Sequence, residues 1–392
     1  MPPDHADADA EAGVSLSPDV LANIHARLAF PDRLAFAAVF HAERHAFRLE
    51  APYLLLPGRT PDTATLFSVA DRRSAAVRSP GHAFIGSSRG WLVTAAAAAL
   101  LLVNPVTGEQ RALPAITTTP CVHALQGGSH LEFTLEPFTR GPPYPGGRQP
   151  VGTFTLEAEQ TRGFLYRKVV LAPAAAAAML VTGPCLGVPA FATTEDAAWR
   201  LVPSRDGVED AIHHDGRFYS LGYSGAVEAW ERDADTGEFS STAVTPRLTN
   251  EDSQPWRRRK YLVAAPAGRL MVVLKEFNET TTGWCGRRRR TWSFTVHVLD
   301  GGRWKETEDI GDAALFVGAN ESMCVSTRGR PELRAGCVYY TDDDDLEPSK
   351  DDDQLAVGVL SLKDGTVKKV WGLGRHRSWP RPVWLTPSAS IP

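Results

Sequence analysis

The pentapeptide Gly86-Ser87-Ser88-Arg89-Gly90 is the stretch of this sequence that most resembles a catalytic motif. It matches G-x-S-x-G, in which a serine on a sharp strand-to-helix turn acts as a nucleophile beside an oxyanion hole. That chemistry needs a helix after the serine, whereas Trp91-Leu92-Val93 has the composition of a strand. We therefore expect a tight turn between two strands here, and no catalytic residue.

His41 and His45 are four residues apart on an expected helix, which would place two possible zinc ligands on one helical face. The metalloprotease motif needs a glutamate directly after the first histidine, but Glu43 comes one position later. The acidic run 342–345 lacks the glycine and the closing glutamate of a calcium loop. We expect exposed polar residues at these places, with no metal and no cofactor.

Two basic clusters, Arg257–Lys260 and Arg287–Arg290, stand next to tryptophans. Either cluster could contact phosphate or act as a nuclear-localisation signal, but the sequence favours solvated loop tips. The formal net charge of −4 and the pI near 6.3 do not provide the broad positive field that phosphate neutralisation requires. The composition therefore disfavours nucleic acid as a partner.

The remaining bulk features describe where the chain is expected to work. Its five cysteines are widely spaced and form no C-x-x-C pair, which is typical of a reducing compartment. Residues 1–13 are polar and acidic, unlike a secretory signal, and predict a disordered leader. The longest apolar run, Ala95–Val103, is far below the roughly 20 residues that span a bilayer. We expect a cytoplasmic or nuclear protein with no membrane partner.

Helical periodicity is confined to residues 16–48. An apolar stripe at three-to-four-residue steps is formed by Val20, Leu21, Ile24 and Leu28. Ser17 is placed to cap this helix and Pro18 to open its first turn. A second helical segment runs through Leu34–Phe40 and a third through Ala42–Leu49. Three short helices cannot bury a core of their own, so part of their apolar surface should face another element or a partner.

After Pro52 the texture changes to short runs rich in Val, Leu, Phe, Tyr and Trp, separated by Gly, Pro and Asp turns, which predicts an all-β region. The predicted strands are Tyr53–Leu56, Gly90–Thr94, Leu100–Asn104, Arg217–Tyr223, Ala226–Glu231, Lys260–Ala264, Arg269–Leu274, Ser293–Leu299, Gly336–Tyr340 and Ala356–Leu362. The alanine runs Ala95–Ala99 and Ala174–Ala178 lie between strand-like segments and are interpreted as loop or strand expansions.

Glycine-containing hairpin turns recur along this region, at Asn104–Glu109, Asp233–Glu238, Asp300–Gly302 and Lys363–Gly365. The last three are spaced by about 64 residues, and the first gap is about twice that, which predicts a further turn near Gly163. A hairpin that recurs at one spacing favours radial blades, because each blade needs its neighbours to cover both faces. The pattern predicts a β-propeller and leaves the number of blades open.

Several stretches resemble a plant family in which an F-box precedes a propeller of the KIB type. The F-box-like stretch runs from Leu16 to Phe40. Propeller stretches that resemble the family are Pro52–Pro57, Gly86–Leu92, Leu102–Gly108, Leu113-Pro114, Tyr261–Val263, Gly311–Gly318, Val338–Asp343 and Pro382–Pro387. They follow one another in the family's order over nearly the whole chain.

The resemblance implies a mainly β protein, a β-propeller preceded by a small three-helix F-box-like segment. Its expected organisation is a leader at 1–13, an F-box-like helical domain at 14–51 and a KIB-type propeller at 52–392. The implied function is that of a non-catalytic substrate receptor of an SCF-type ubiquitin ligase. Its partners would be the Skp adaptor, through it a cullin, and a target protein that the sequence does not identify. The expected adaptor-binding residues are Leu16, Pro18, Leu21, Ile24, Leu28, Leu34 and Val39.

The F-box-like stretch departs from the family pattern at two positions. Ser17 stands where the family usually has proline, and Glu43 stands where it often has a tryptophan. Losing a buried indole removes a large apolar area, and a carboxylate in its place is costly to desolvate. The alternative hypothesis is therefore a propeller interaction module whose F-box no longer couples to a ligase.

Overall fold

A computed structural model of the chain describes most of its residues. The described residues are 16–40, 42–47, 50–58, 60, 63–78, 83–96, 98–120, 122–125, 132–135, 154–157, 165–183, 186–193, 195–248, 258–265, 268–282, 287–341, 357–370, 373 and 381–386. The expected leader, His41 and the acidic run 342–345 lie outside them.

The first part of the described chain contains two α-helices, α1 (Pro18–Arg27) and α2 (Asp32–Val39). The hydroxyl of Ser17 accepts a hydrogen bond from the amide of Val20 at 3.4 Å, so Ser17 caps α1. The third predicted helix is reduced to one 3₁₀ turn, Arg44–Ala46. The chain bends there because Phe47 turns inward and stacks on the ring of His25, with centroids 4.7 Å apart. The expectation of three helices is therefore not confirmed, since the described residues contain two α-helices.

The rest of the described chain folds into six blades and one inserted sheet. Blade 1 contains β1 (Tyr53–Pro57), β2 (Thr63–Ser68) and β3 (Arg73–Arg78). Blade 2 contains β4 (Ala83–Ser88), β5 (Trp91–Ala96), β6 (Ala99–Val103) and β7 (Gln110–Leu113), and the inserted sheet β8 (Val122–Leu125), β9 (Glu132–Leu135) and β10 (Phe154–Glu157). Blade 3 contains β11 (Tyr166–Leu171), β12 (Ala177–Thr182), β13 (Pro189–Thr193) and β14 (Arg200–Leu201).

Blades 4 to 6 follow in chain order. Blade 4 contains β15 (Asp210–His214), β16 (Arg217–Leu221), β17 (Val227–Arg232) and β18 (Phe239–Ala243). Blade 5 contains β19 (Arg258–Ala264), β20 (Leu270–Thr282), β21 (Arg287–Asp300) and β22 (Arg303–Thr307). Blade 6 contains β23 (Ala313–Val317), β24 (Met323–Ser326), β25 (Cys337–Thr341), β26 (Val357–Ser361) and β27 (Val367–Lys369). The last described strand, β28 (Val383–Leu385), pairs with β1 in blade 1. The first and last strands of the propeller thus close the ring.

The core of the propeller is a circle of six apolar clusters, one between each pair of adjacent blades. Alternation along each strand sends side chains to opposite faces of the blade. In β1, Tyr53 and Leu55 face blade 2, while Leu54 and Leu56 face blade 6. Since both faces of a blade are apolar, no blade is stable without its neighbours.

The predicted strands and hairpin turns are confirmed. All ten predicted strands overlap strands of the structure, and the alanine runs contribute residues to β5, β6 and β12. The four recurrent turns join the two outermost strands of blades 2, 4, 5 and 6. The turn expected near Gly163 lies outside the described residues, and the outermost hairpin of blade 3 instead falls between Thr193 and Arg200. The inserted sheet lengthens the chain before blade 3 and so breaks the spacing.

Four innermost strands end at the same face of the ring. Their last residues are Ser88, His214, Ala264 and Leu385, from β4, β15, β19 and β28. We call this side the pocket face.

Among the described residues, no helix combines the length and apolar character that crossing a bilayer requires.

Candidate functional site

A pocket of about 290 Å³ opens at the centre of the pocket face. Ends of the innermost strands and the loop before β24 form its wall, which includes Ser88, Arg89, His213, Glu321, Cys324 and Trp384. The loop before β24 lies against the end of β4, since the amide of Glu321 donates to the carbonyl of Ser87 at 2.7 Å. Gly86 allows this approach, because a Cβ at that position would lie 2.7 Å from the carbonyl oxygen of Ala319.

Ser88 is part of the pocket wall rather than a nucleophile. It ends β4, and Arg89 and Gly90, with φ of +49° and +82°, form the two-residue turn into β5. The Ser88 hydroxyl donates to Glu321 Oε2 at 2.6 Å and accepts from the amide of Leu171 at 2.9 Å. The predicted turn between two strands is confirmed, and a helix that would lift the serine toward an oxyanion hole does not follow.

Glu321 ties three blades together at this pocket. Besides the Ser88 bond, its Oε1 accepts from the amide of His213 at 2.9 Å, so one carboxylate joins blades 2, 4 and 6. Burial raises the pKa of the Glu321 carboxyl, against the opposing effect of the Ser88 hydrogen bond. Both oxygens are occupied, so the carboxylate positions the wall of the pocket.

Arg89 fixes the protonation of His213. Its Nη2 lies 3.0 Å from His213 Nδ1 and also donates to the His213 carbonyl at 2.9 Å. Because a guanidinium can only donate, Nδ1 accepts and the imidazole proton sits on Nε2. Burial, followed by the charge of Arg89, lowers the pKa of His213 to about 4. His213 is therefore neutral at physiological pH.

A buried ion pair lies next to the pocket, where Ser322 of the pocket wall hydrogen-bonds with both of its members. Lys168 on β11 and Asp210 on β15 form a salt bridge, and both side chains are fully buried. The amide of Leu262 donates to Asp210 Oδ2 at 2.7 Å, while burial raises the pKa of the Asp210 carboxyl against the attraction of Lys168. Breaking such a pair is far more costly than its presence is stabilising, so it fixes how the blades meet.

The predicted adaptor-binding residues divide by exposure. Leu16 is 42% exposed and Val39 71% exposed, and Pro18 is also on the surface. Ile24 and Leu28 are half-buried. Two others point inward: Leu21 is 2% exposed within the helical segment, and Leu34, 7% exposed, packs against blade 1. Adaptor docking by the exposed residues stays a prediction.

An ionic cluster joins the helical segment to blade 1. Arg33 on α2 donates from Nε to Glu50 at 2.7 Å and from Nη2 to Asp71 at 2.5 Å. The hydroxyl of Tyr53 donates to the same Glu50 at 2.8 Å. Burial alone would lower the pKa of Arg33, but Asp71 and Glu50 outweigh it and the pKa is raised. We call Arg33, Glu50, Tyr53 and Asp71 the junction cluster; it fixes the helices on the pocket face.

The two positions that departed from the family pattern have plain structural roles. Ser17 is the helix cap described above, and Glu43 is only half-buried, so its carboxylate keeps contact with water. His45 is exposed, as expected for a surface polar residue. Across the described part of the chain, no three histidines, cysteines or acidic residues come together as metal ligands would.

The described residues of the two basic clusters lie in strands. Arg258–Lys260 lies in β19, where the Arg259 guanidinium donates to the Glu209 carbonyl at 3.0 Å and Lys260 pairs with the Glu209 carboxylate at 2.8 Å. Arg287–Arg290 begins β21, in the part of its hairpin with β20 that extends beyond the pairing of β20 with β19. The described residues of the first cluster are thus paired with other residues of the propeller.

Sequence reasoning missed the charged residues in and next to the pocket, among them Arg89, Lys168, Asp210 and Glu321. A signal was present for Lys168, since the other residues of its strand are mostly apolar. Charged residues in such strands are buried only when they are paired. Their partners, however, come from different blades, and the spacing along the chain does not reveal them.

Comparison with known proteins defines the class. The family model of the KIB1-4 beta-propeller matches residues 66–361, well over half of the chain. The chain therefore belongs to the KIB1-4 β-propeller family. The six-bladed ring agrees with this, and β1 and β28 extend it beyond the matched residues.

A relative with an F-box is also found. An F-box protein of Arabidopsis thaliana is 27% identical over 217 residues, which is 49% of this chain and 49% of the relative. The chain thus spans about half the length of the curated relative it matches.

Solved structures resemble the chain only loosely. Hsv2 of Kluyveromyces lactis has a TM-score of 0.26 at 10% identity, covering 61% of this chain and 84% of that one. BamB from Moraxella catarrhalis has a TM-score of 0.28 at 12% identity, covering 76% of this chain and 93% of that one. Likenesses at this level add no argument to the family assignment.

Proposed function

We propose that this protein is a substrate receptor of an SCF-type ubiquitin ligase. The helical segment docks on the Skp adaptor, which in turn binds a cullin, and the propeller holds a target protein. The receptor contributes position rather than chemistry, because holding a target beside a charged conjugating enzyme raises its effective concentration there. The F-box relative and the KIB-type propeller family support this proposal.

The distribution of exposed apolar side chains carries the proposal. Within the described residues, five large hydrophobic side chains are exposed, and three of them, Leu16, Val20 and Val39, lie in the short helical segment. Exposed apolar groups gathered on a small element mark a surface that another protein covers. A helical segment that presents such residues fits the helix-in-groove mode of recognition.

A charge substitution tests adaptor docking. Val20→Asp combined with Val39→Asp should weaken binding of the full chain to a recombinant plant Skp adaptor by at least about 30-fold, since truncating a dominant anchor costs about 2 kcal/mol or more. Val244→Asp is the matched control, because Val244 has the same 44% exposure as Val20 but lies on the propeller. Biolayer interferometry gives the dissociation constants. Absent adaptor binding by the unaltered chain, or equal loss in the control, would sink the proposal.

The second candidate is an interaction module that is no longer coupled to a ligase. Glu43 motivates it, because the family often has a tryptophan at that position. The same binding experiment decides between the two, since the uncoupled module predicts a folded chain without measurable affinity for the adaptor.

A further inference from the structure

An open groove lies on the pocket face between blades 5 and 6. Its volume is about 730 Å³, and its floor is apolar, formed by Ala265, Met271, Val298, Ile310 and Cys324. These residues belong to or pack against the buried cluster between the two blades. The groove is therefore the end of an inter-blade core that the described residues leave open to solvent.

The chain itself shows how such an end is covered elsewhere. The cluster between blades 1 and 2 includes Phe30 and Leu34 from the helical segment. Phe30 stacks on Tyr53 with ring centroids 5.0 Å apart, and each of the two helical residues is 7% exposed. Large apolar side chains from an added segment thus complete one inter-blade core. Among the described residues, the groove between blades 5 and 6 offers a similar apolar end without such a segment.

The charges around the groove are unevenly satisfied. Arg328 pairs with Asp312 at 2.9 Å, and Lys305 pairs with Asp300 at 2.5 Å. Two further carboxylates, Glu306 and Asp309, line the groove and are exposed. Glu306 Oε2 lies 3.9 Å from Nε2 of His297, whose pKa is lowered by burial. With Arg269 also in the lining, four carboxylates face three cations. An occupant with a positive charge at this wall would therefore find complementary charge.

The groove is continuous with the central pocket. Cys324 lines both depressions, and the neighbouring residues Ala264 and Ala265 line one each. Burial raises the pKa of the Cys324 thiol to about 11, so at neutral pH it is an uncharged contact and not a reactive thiolate. A chain that lies in the groove could extend toward the centre of the pocket face.

We propose that this groove binds an extended peptide segment of the target protein, with an aliphatic side chain on the apolar floor and a neighbouring lysine or arginine beside Glu306 and Asp309. The inference rests on the proposed function, since it identifies where the receptor holds its target. The aliphatic side chain plays the part that Phe30 and Leu34 play between blades 1 and 2. The basic residue distinguishes this segment from other apolar peptides.

A displayed library of random linear twelve-residue peptides, selected against the full chain, tests the chemistry of the occupant. We expect the selected peptides to carry Leu, Ile or Met next to Lys or Arg. A selected peptide is then synthesised with a fluorescent label, and its dissociation constant is measured by fluorescence polarisation. No enrichment, or enrichment of acidic peptides, would overturn the proposal.

Matched charge variants locate the site. Glu306→Lys with Asp309→Lys should weaken binding of the labelled peptide at least tenfold, while Asp235→Lys with Glu238→Lys should change it less than twofold. The control makes the same charge change at exposed residues of the blade 4 turn. Ala265→Trp, which fills the floor, should also weaken binding at least tenfold. Equal binding by the groove and control variants would contradict the proposal.

Adaptor binding measured on the same variants separates the two proposals. If the groove variants lose the peptide and keep the adaptor, both proposals hold. If the unaltered chain binds the peptide at the groove but never binds the adaptor, the groove stands and the ligase role fails. If it binds the adaptor and selects no peptide, the groove fails and the ligase role stands.

Discussion

Two inter-blade cores end at the pocket face, one covered and the other open. Between blades 1 and 2 the end of the core is covered by Phe30 and Leu34 and held by the junction cluster. Between blades 5 and 6 the end is open and bordered by exposed charges. One chain thus uses the same architectural position twice, once to fix an element of its own and once to leave a surface free.

The two core ends differ in how far the surrounding charged side chains are buried. The Arg33 side chain is 5% exposed and contacts two carboxylates, whereas Arg328 at the groove is 83% exposed and contacts one. Removing one partner of a buried ion pair is strongly destabilising, whereas an exposed ion pair contributes little to the free energy of unfolding. The covered end is therefore expected to be rigid and intolerant of substitution, and the groove tolerant and adaptable.

Removing the junction cation should give the largest effect. Arg33→Ala leaves the partly buried Glu50 and Asp71 without their cation, and we expect a loss of about 3 kcal/mol in the free energy of unfolding. Arg328→Ala at the groove should cost less than about 0.5 kcal/mol. Urea denaturation of both variants measures the contrast, and a similar loss in the two would break the comparison.

Truncating one apolar side chain at the end of each of the two inter-blade cores tests the comparison further. Phe30→Ala should lower the free energy of unfolding by about 3 kcal/mol, because it opens a cavity under the helical segment. Ile310→Ala, at the half-exposed floor of the groove, should lower it by about 1 kcal/mol or less. Thermal unfolding followed by circular dichroism ranks the two variants; an Ile310 loss as large as that of Phe30 would mean that the groove is closed in solution.

Acid should destabilise the pocket through His213. The pKa of His213 is lowered to about 4, against roughly 6.5 in an unfolded chain, so the unfolded state binds more protons between these values. Stability is therefore full above pH ~6.5 and falls as the pH drops toward 4, by about 2 kcal/mol. At the junction, Arg33 and Tyr53 have raised pKa values and keep their protons throughout.

The variant His213→Gln isolates this contribution. Glu321 has a raised pKa and works in the opposite direction, but it is present in both proteins and cancels in the difference. Urea denaturation at pH 7.5 and pH 4.5 should show a smaller acid-induced loss in His213→Gln than in the unaltered chain. His123→Gln, at an exposed histidine, should leave the loss unchanged. Identical profiles for all three would show that His213 is protonated without cost.

The sequence predicted the repeated strands and turns of this fold well. It predicted poorly the contacts between blades at the central pocket. Strand composition and the turns at 104–109, 233–238 and 300–302 report local structure, and the structure confirms them. The contacts of Glu321 with Ser88 and His213 join residues more than 100 positions apart. Such pairings depend on how the ring closes, which local patterns do not contain.

The helical segment shows the same limit at smaller scale. Its periodicity correctly predicted α1 and the cap at Ser17. It did not show that Leu34 faces blade 1, because a stripe of apolar residues does not say which neighbour will cover it. A 3₁₀ turn forms in place of the third predicted helix, because Phe47 turns inward to stack on His25 and the chain bends there.

Assembly with the adaptor and a cullin tests the central claim most directly. The full chain, a plant Skp adaptor and a cullin are mixed and examined by size-exclusion chromatography with light scattering. The account predicts one peak that contains one copy of each protein, and its loss in the Val20→Asp, Val39→Asp variant but not in Val244→Asp. Elution of the unaltered chain by itself, apart from an intact adaptor–cullin complex, would contradict the account.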